Sequence, residues 1–417
     1  MVGARGFAKL VLQNKRMGLT VKLLMAIAGC VLACHVAMAE TCSQDAILKA
    51  ANEVKASRQR LITTKLDDSM GMQLPPSLQK EISELKDALS ATVSAYLQCA
   101  KSNTLDLVVL QSELLRMMAV QEHPPLTQFD KEQEDGFYGT ELKINASHPV
   151  NAPHLIAITI SFGIECGNDS ILLIYEFHEG AWLQALRWQS GGYEAIKEAF
   201  GDFFEYFVLL QPSGKWLVAA AHGTPWCSSR FSAFAVDLIQ PVRDNASQQT
   251  LQHQEYGYSR DEGVVPKLRP DGFELRMQVN SLDLDLLTRR DIYRFQLIGN
   301  RLERIQPIAI NGRDFVDEWL QAPWSDAKRW SDAANLDSLA KEKTSFDLKN
   351  NSGRPMLSFG AVRSCSDDPK HFQVELDLHP GPTHYFQIKQ GDNSFTMLSA
   401  ATQPNASCKG ADLMPKR

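Results

Sequence analysis

The stretch HGTPWCSSR brings His222, Trp226, Cys227 and Arg230 together in one short connection. A histidine beside a thiol can hold it as the thiolate, the form that attacks an electrophilic carbon. A tryptophan and an arginine on a long, proline-containing loop make a different device, an anchor for a partner. The choice turns on Cys227. The run IAITISFGIEC reaches Gly163 and Cys166 much as WLVAAAHGTPWC passes through Gly223 to Cys227, so the two cysteines hold matching places in neighbouring β units. A bridge between matched loops needs no catalysis. The expectation is a disulfide at Cys227, no catalytic residue, and His222, Trp226 and Arg230 as binding residues. The alternative is a hydrolase with a non-sequential site that uses Cys227 and His222, or histidine and aspartate residues of the C-terminal tail.

In that tail Asp377, His379 and His384 flank the turn Pro380-Gly381-Pro382. Asp377 and His379 share a strand face by period two, but two ligands and a third of unfixed direction do not make a metal site. Ser281-Leu282-Asp283-Leu284-Asp285 sets two acids at a calcium-like spacing without the glycine and closing glutamate of an EF-hand loop. Alternating leucine and aspartate predicts an exposed edge strand instead. No GxSxG, HExxH, P-loop or CxxC motif occurs, so no cofactor or metal is expected.

Cysteine use places these residues in a compartment. Residues 1–39 carry Arg5, Lys9, Lys15, Arg16 and Lys22 and no acid, then an apolar stretch from Leu23 to Val36 that closes on Ala37-Met38-Ala39. This is the pattern of a signal peptide, too short for a membrane span. A lipoprotein-like box, Ile27-Ala28-Gly29-Cys30, is the minority reading; it would anchor the chain by lipid at Cys30 behind an apolar run of only ~7 residues. Removal of the leader leaves Cys42, Cys99, Cys166, Cys227, Cys365 and Cys408. An even set in an oxidising compartment predicts three disulfides, paired in chain order. It also leaves 38 basic against 49 acidic residues, a balance that argues against nucleic acid or anionic lipid as partner.

The elements that must position these residues read as α+β. Apolar residues at helical spacing predict a hairpin: Ile47, Ala51, Val54 and Leu61, with Arg58 interrupting the face, then Leu78, Ile82, Leu85, Leu89, Val93 and Tyr96. Its reversal near residue 71 would set Cys42 level with Cys99. A third helix is predicted over Thr104 to Val120, with Met117 and Met118 as core-facing residues. Residues 40–122 are thus helical and 123–137 an acidic linker. Residues 138–307 form a mostly antiparallel β body with turns at Glu179-Gly180, Pro212-Ser213-Gly214 and Gly299-Asn300, interrupted by a helix-like insert from Tyr193 to Phe204. Residues 308–350 hold short helices, one capped by Ser325, in which Trp319, Trp324 and Trp330 are expected to pack rather than to form a ligand platform. Residues 351–417 return to hairpins that complete the β body, a decayed propeller or a large sandwich of hairpins.

Together these readings predict an exported protein, periplasmic or secreted, that is not an enzyme and binds a protein or glycan partner in the cell envelope through loops of the β body.

Overall fold

The computed structural model describes residues 42–64, 75–122, 138–164, 167–189, 203–223, 231–241, 249–259, 263–305, 309, 311–346, 356–391 and 394–414. The predicted leader with Cys30, the linker, and Cys166, Trp226, Cys227 and Arg230 lie outside these residues. So does the predicted 193–204 insert, except at its end, where Phe204 already opens a strand.

The helical hairpin forms as its spacing predicts. Helix α1 (Gln44–Ile62) starts where the Ser43 side chain accepts from the Ala46 amide, and α2 (Pro76–Cys99) starts on a proline, which has no amide to leave unpaired. Ile47, Ala51, Val54 and Leu61 of α1 and Leu78, Ile82, Leu85, Leu89 and Val93 of α2 are buried. The helices run antiparallel, and the Cys42–Cys99 disulfide closes their open end with Cα atoms 4.7 Å apart. Helix α3 (Leu107–Met118) begins later than predicted, because Asp106 accepts from the Val108 and Val109 amides and so sets the N-terminus. Arg58 does not interrupt the buried face. It points inward, donating from Nε to the Gly139 carbonyl and from Nη1 to the Met118 carbonyl, both at 2.9 Å, and pairs with Glu122. One guanidinium thus ties α1 to the end of α3 and to the entry of the sheet.

Among the described residues sixteen strands follow in four meanders, and the pairs between neighbouring strands are antiparallel. The first is β1 (Lys143–Ser147), β2 (Leu155–Ile164), β3 (Gly167–His178) and β4 (Ala181–Gln189). The second is β5 (Phe204–Leu210), β6 (Trp216–Gly223), β7 (Phe231–Gln240) and β8 (Gln249–Ser259). The third is β9 (Val265–Arg269), β10 (Gly272–Asn280), β11 (Thr288–Ile298) and β12 (Arg301–Ile305), and the fourth is β13 (Met356–Ser364), β14 (His371–His379), β15 (Thr383–Gln390) and β16 (Phe395–Ala401). The second and third join through the Gln278–Ser259 pair into one eight-stranded sheet. Among the described residues no sheet closes into a barrel. The β3–β4 hairpin turns on Glu179 and Gly180, at φ of 49° and 84°; two successive left-handed residues match the strand twist, and glycine takes that geometry without strain.

The first meander packs on the second, which shares a core with the third on its other face. Ile156, Ile158, Ile160 and Phe162 of β2 pack on the helices, while Leu155 and Ala157 meet Val218 and Ala220 of the second meander. Leu217, Ala219 and Ala221 point the other way, toward Phe273, Leu275 and Phe295 of the third. Strand segments buried on both faces need apolar residues at successive positions, hence the runs LIAI at the start of β2 and WLVAAA in β6.

Between the third and fourth meanders stand α4 (Gly312–Gln321), α5 (Trp324–Ala327), a 3-10 turn (Lys328–Trp330) and α6 (Leu336–Ser345). Asn311 caps α4 by accepting from the Asp314 amide at 2.9 Å. Ser325 is not a cap: α5 starts at Trp324 behind Pro323 and contains Ser325. Phe315, Val316 and Trp319 pack against Val374, Leu376, Phe386 and Ile388 of the fourth meander, and a Cys365–Cys408 disulfide secures that meander to the C-terminal segment. The predicted edge strand over 281–285 is instead a turn. The Asp283 carboxylate accepts from the Asp285 amide at 3.1 Å, and its carbonyl accepts from the Leu286 amide at 3.1 Å. An aspartate that bonds its own backbone two residues on competes with a strand ladder. No described helix is long and apolar enough to cross a membrane.

Candidate functional site

His222 belongs to a cross-strand set that its local sequence does not reveal. Asp237 on β7 pairs with Ala220 on β6 and with His253 on β8, so His222, two residues beyond Ala220, lies diagonal to Asp237 on the same face. Asp237 Oδ1 contacts His253 Nδ1 at 2.6 Å, and its Oδ2 contacts His222 Nε2 and accepts from the Trp188 indole, each at 3.3 Å. Burial pushes the Asp237 carboxyl up, but the two histidines outweigh it and hold the group below its ordinary value. For His253 burial acts downward, and Asp237 and Glu255 outweigh it and raise the imidazole. The His222 ring lies 5.1 Å from Trp188 of the first meander. This residue therefore helps to lock two sheets together, and the rest of the predicted loop, Trp226 to Arg230, lies outside the described residues. Sequence reading missed Asp237 and His253, whose meeting with His222 is set by strand register and not by any local pattern.

The tail residues do not converge. Asp377 pairs across the sheet with Thr383, whose hydroxyl donates to it at 2.5 Å, whereas His384 pairs with Leu376 and so lies on the opposite face. There His384 contacts Glu342 of α6 at 2.7 Å and packs on Phe346. A period-two alternation puts partners of adjacent residues on opposite faces, which rules out one metal held by all three. Cys365, Cys408 and His371 do come together, but the two sulfurs are joined in a disulfide and offer no thiolate.

A large concavity lies elsewhere among the described residues. A cavity of about 880 Å³ opens between the β8 and β10 ends, the 281–282 turn and helices α4 and α6. Its lining includes Tyr256, Tyr293, Trp324 and Phe346 alongside Glu255, Asn280, Gln321 and Lys343. This volume and mixture of aromatic faces with a few polar groups is that of a small-ligand site. Trp319 and Trp330 are buried packing residues, as expected, whereas Trp324 is only half buried at the cavity wall.

A charged network forms one side of the cavity. Arg289, Asp291 and Tyr293 alternate along one face of β11, and Arg304 of β12 stands opposite Phe295 on that face. From α4 come Asp317 and Glu318. Arg304 Nη2 lies 2.5 Å from Glu318 and 3.4 Å from Asp291, with its guanidinium 3.8 Å above the Tyr293 ring. Arg289 pairs with Glu318, with Asp317 at 3.3 Å and with Asp291 at 3.6 Å. Burial, reinforced by the Glu318 charge, pushes Asp291 up to about 7 against the pull of both arginines. Glu318 is buried too, yet Arg304 and Arg289 hold it well below its ordinary value. Lys343 donates to the Trp319 and Leu320 carbonyls, both at 2.7 Å, and so caps the end of α4. These groups fix the wall. The Ser281 hydroxyl donates to Asp317 at 2.7 Å.

No protein-family model matches the chain, and no curated protein matches it. Among solved structures it is similar to a post-proline cleaving enzyme from Rickettsia typhi, at 10% identity and a TM-score of 0.21. That likeness covers 67% of this chain and 41% of the enzyme, and at such a score it fixes neither fold nor activity.

Proposed function

We propose that the chain is an exported, periplasmic or secreted, non-catalytic protein that recognises a protein or glycan partner through the loops around the cavity. The observation that carries this reading is the cavity itself, walled by aromatic rings and by ionised groups already committed to one another. Two disulfides among the described residues favour an oxidising compartment. On this reading the four meanders are the units of a decayed propeller or of a large sandwich of hairpins, and the helical hairpin is a docking arm or a brace on the first of them. Affinity capture from periplasmic extract on the oxidised protein tests it: a partner lost on substitution of Trp324 is expected, and repeated capture of nothing counts against recognition.

The hydrolase reading draws on the Asp237–His222 contact, since an acid that orients a histidine is one half of an activated-nucleophile system. It needs a free thiol at Cys227. A non-reducing peptide map that finds Cys166 bridged to Cys227 removes it; a reactive thiol there reverses the ranking.

A further inference from the structure

We propose that the cavity between β8, β10 and α4–α6 is a binding site for an uncharged saccharide of one or two rings. The inference rests on the recognition reading above and names its ligand class. Charge decides first. The wall offers Arg289, Arg304 and Lys343 against Glu255 and Glu318, with Asp291 and Asp317 directly behind. An ion of either sign entering this space meets a like charge as closely as an opposite one. The guanidinium groups are also largely consumed, since Arg304 and Arg289 both reach Glu318 and Asp291. A phosphate or carboxylate would have to displace acids already in place, which leaves a polar, uncharged ligand.

Shape and donors then narrow the class. A pyranose has apolar C–H faces and a belt of hydroxyl groups around its edge. The half-buried ring of Trp324 provides a surface for one such face, the Tyr256 hydroxyl edge lies in the same wall, and Asn280, the Gln321 amide oxygen and Glu255 provide planar amide and carboxylate edges for the hydroxyls. Deeper in the wall the Arg304 Nε–H is buried without a hydrogen-bond partner among the described residues. A buried donor left unmet is unfavourable, and a ligand hydroxyl is an acceptor of the right size. The volume holds two sugar rings with room for bridging water.

The test titrates the oxidised protein with N-acetylglucosamine, its β-1,4-linked dimer, glucose and maltose. Glucosamine and galacturonate serve as charged counterparts, and saturation-transfer NMR and tryptophan fluorescence as readouts. At least one uncharged sugar is expected to saturate the protein. Trp324→Ala should weaken it at least about tenfold (~1.4 kcal/mol), and Asn280→Ala by less, with far-ultraviolet dichroism unchanged in both. The assignment is overturned if no uncharged sugar binds, if a charged counterpart binds more tightly, or if Trp324→Ala binds as the parent does. Capture of a protein partner by a chain that binds no sugar also overturns it, while leaving the recognition reading intact.

Discussion

Two helix-on-sheet junctions in this molecule are built on opposite terms. At the first, α2 and α3, backed by α1, lay a largely apolar face on the first meander. The buried ionic contacts described there are few, the Arg58–Glu122 pair and Lys86 Nζ to Asp169 Oδ2 at 2.8 Å. At the second, α4 meets the third meander through two arginines and three acids, and a cavity of about 880 Å³ remains beside them. Apolar side chains gain by filling space in any way that excludes water. Ionised groups must instead meet hydrogen-bond geometry with named partners, because an unmatched buried charge costs several kcal/mol. The first junction is thus a brace, and the second keeps a shaped opening.

The largest effects should come from removing one member of a charged set. Glu318→Ala removes the acid shared by two buried guanidiniums, leaving them the longer contacts to Asp291 and Asp317, and should cost ~3–5 kcal/mol, read as a lower urea midpoint. Lys86→Met should cost a similar amount, but Lys86→Met with Asp169→Leu should recover it wholly or exceed the parent. No such paired swap is expected to rescue Glu318→Ala, whose carboxylate serves two cations at once; rescue there would erase the contrast. Next comes the hairpin staple. Serine at both Cys42 and Cys99 should cost about 4 kcal/mol from the restored freedom of the unfolded chain.

A smaller, directional effect concerns pH. Asp291 binds its proton more tightly folded than unfolded, so between its ordinary carboxyl range and about 7 the native state holds the extra proton. Its contribution to stability should be complete in acid and be lost as pH rises through that window. Asp291→Asn should flatten this part of the profile in denaturant titrations taken across it. The smallest change is expected at the exposed edge of the hairpin: Arg60→Ala breaks a pair with Glu81 that is open to solvent and should cost below about 1 kcal/mol.

Local signals in the chain determined the hairpin, its staple, the turn at Glu179-Gly180 and the pairing of Cys365 with Cys408. Each depends on periodicity, on one residue's conformational freedom or on cysteines bracketing a single segment, all of which are properties of short range. The tertiary structure decided which faces meet. Arg58 read as a flaw in an apolar stripe and proved to be a buried tie, and the charges of β11, which drew no notice in the sequence, are buried under α4. His222 was visible as a residue type, but Asp237 and His253 reach it only through strand register, and His384 departs from Asp377 for the same reason. Register, stacking order and the cavity arise from contacts between residues far apart in the chain. A charge in a strand carries no mark of whether it faces water or an opposite charge; only the packed neighbour settles that.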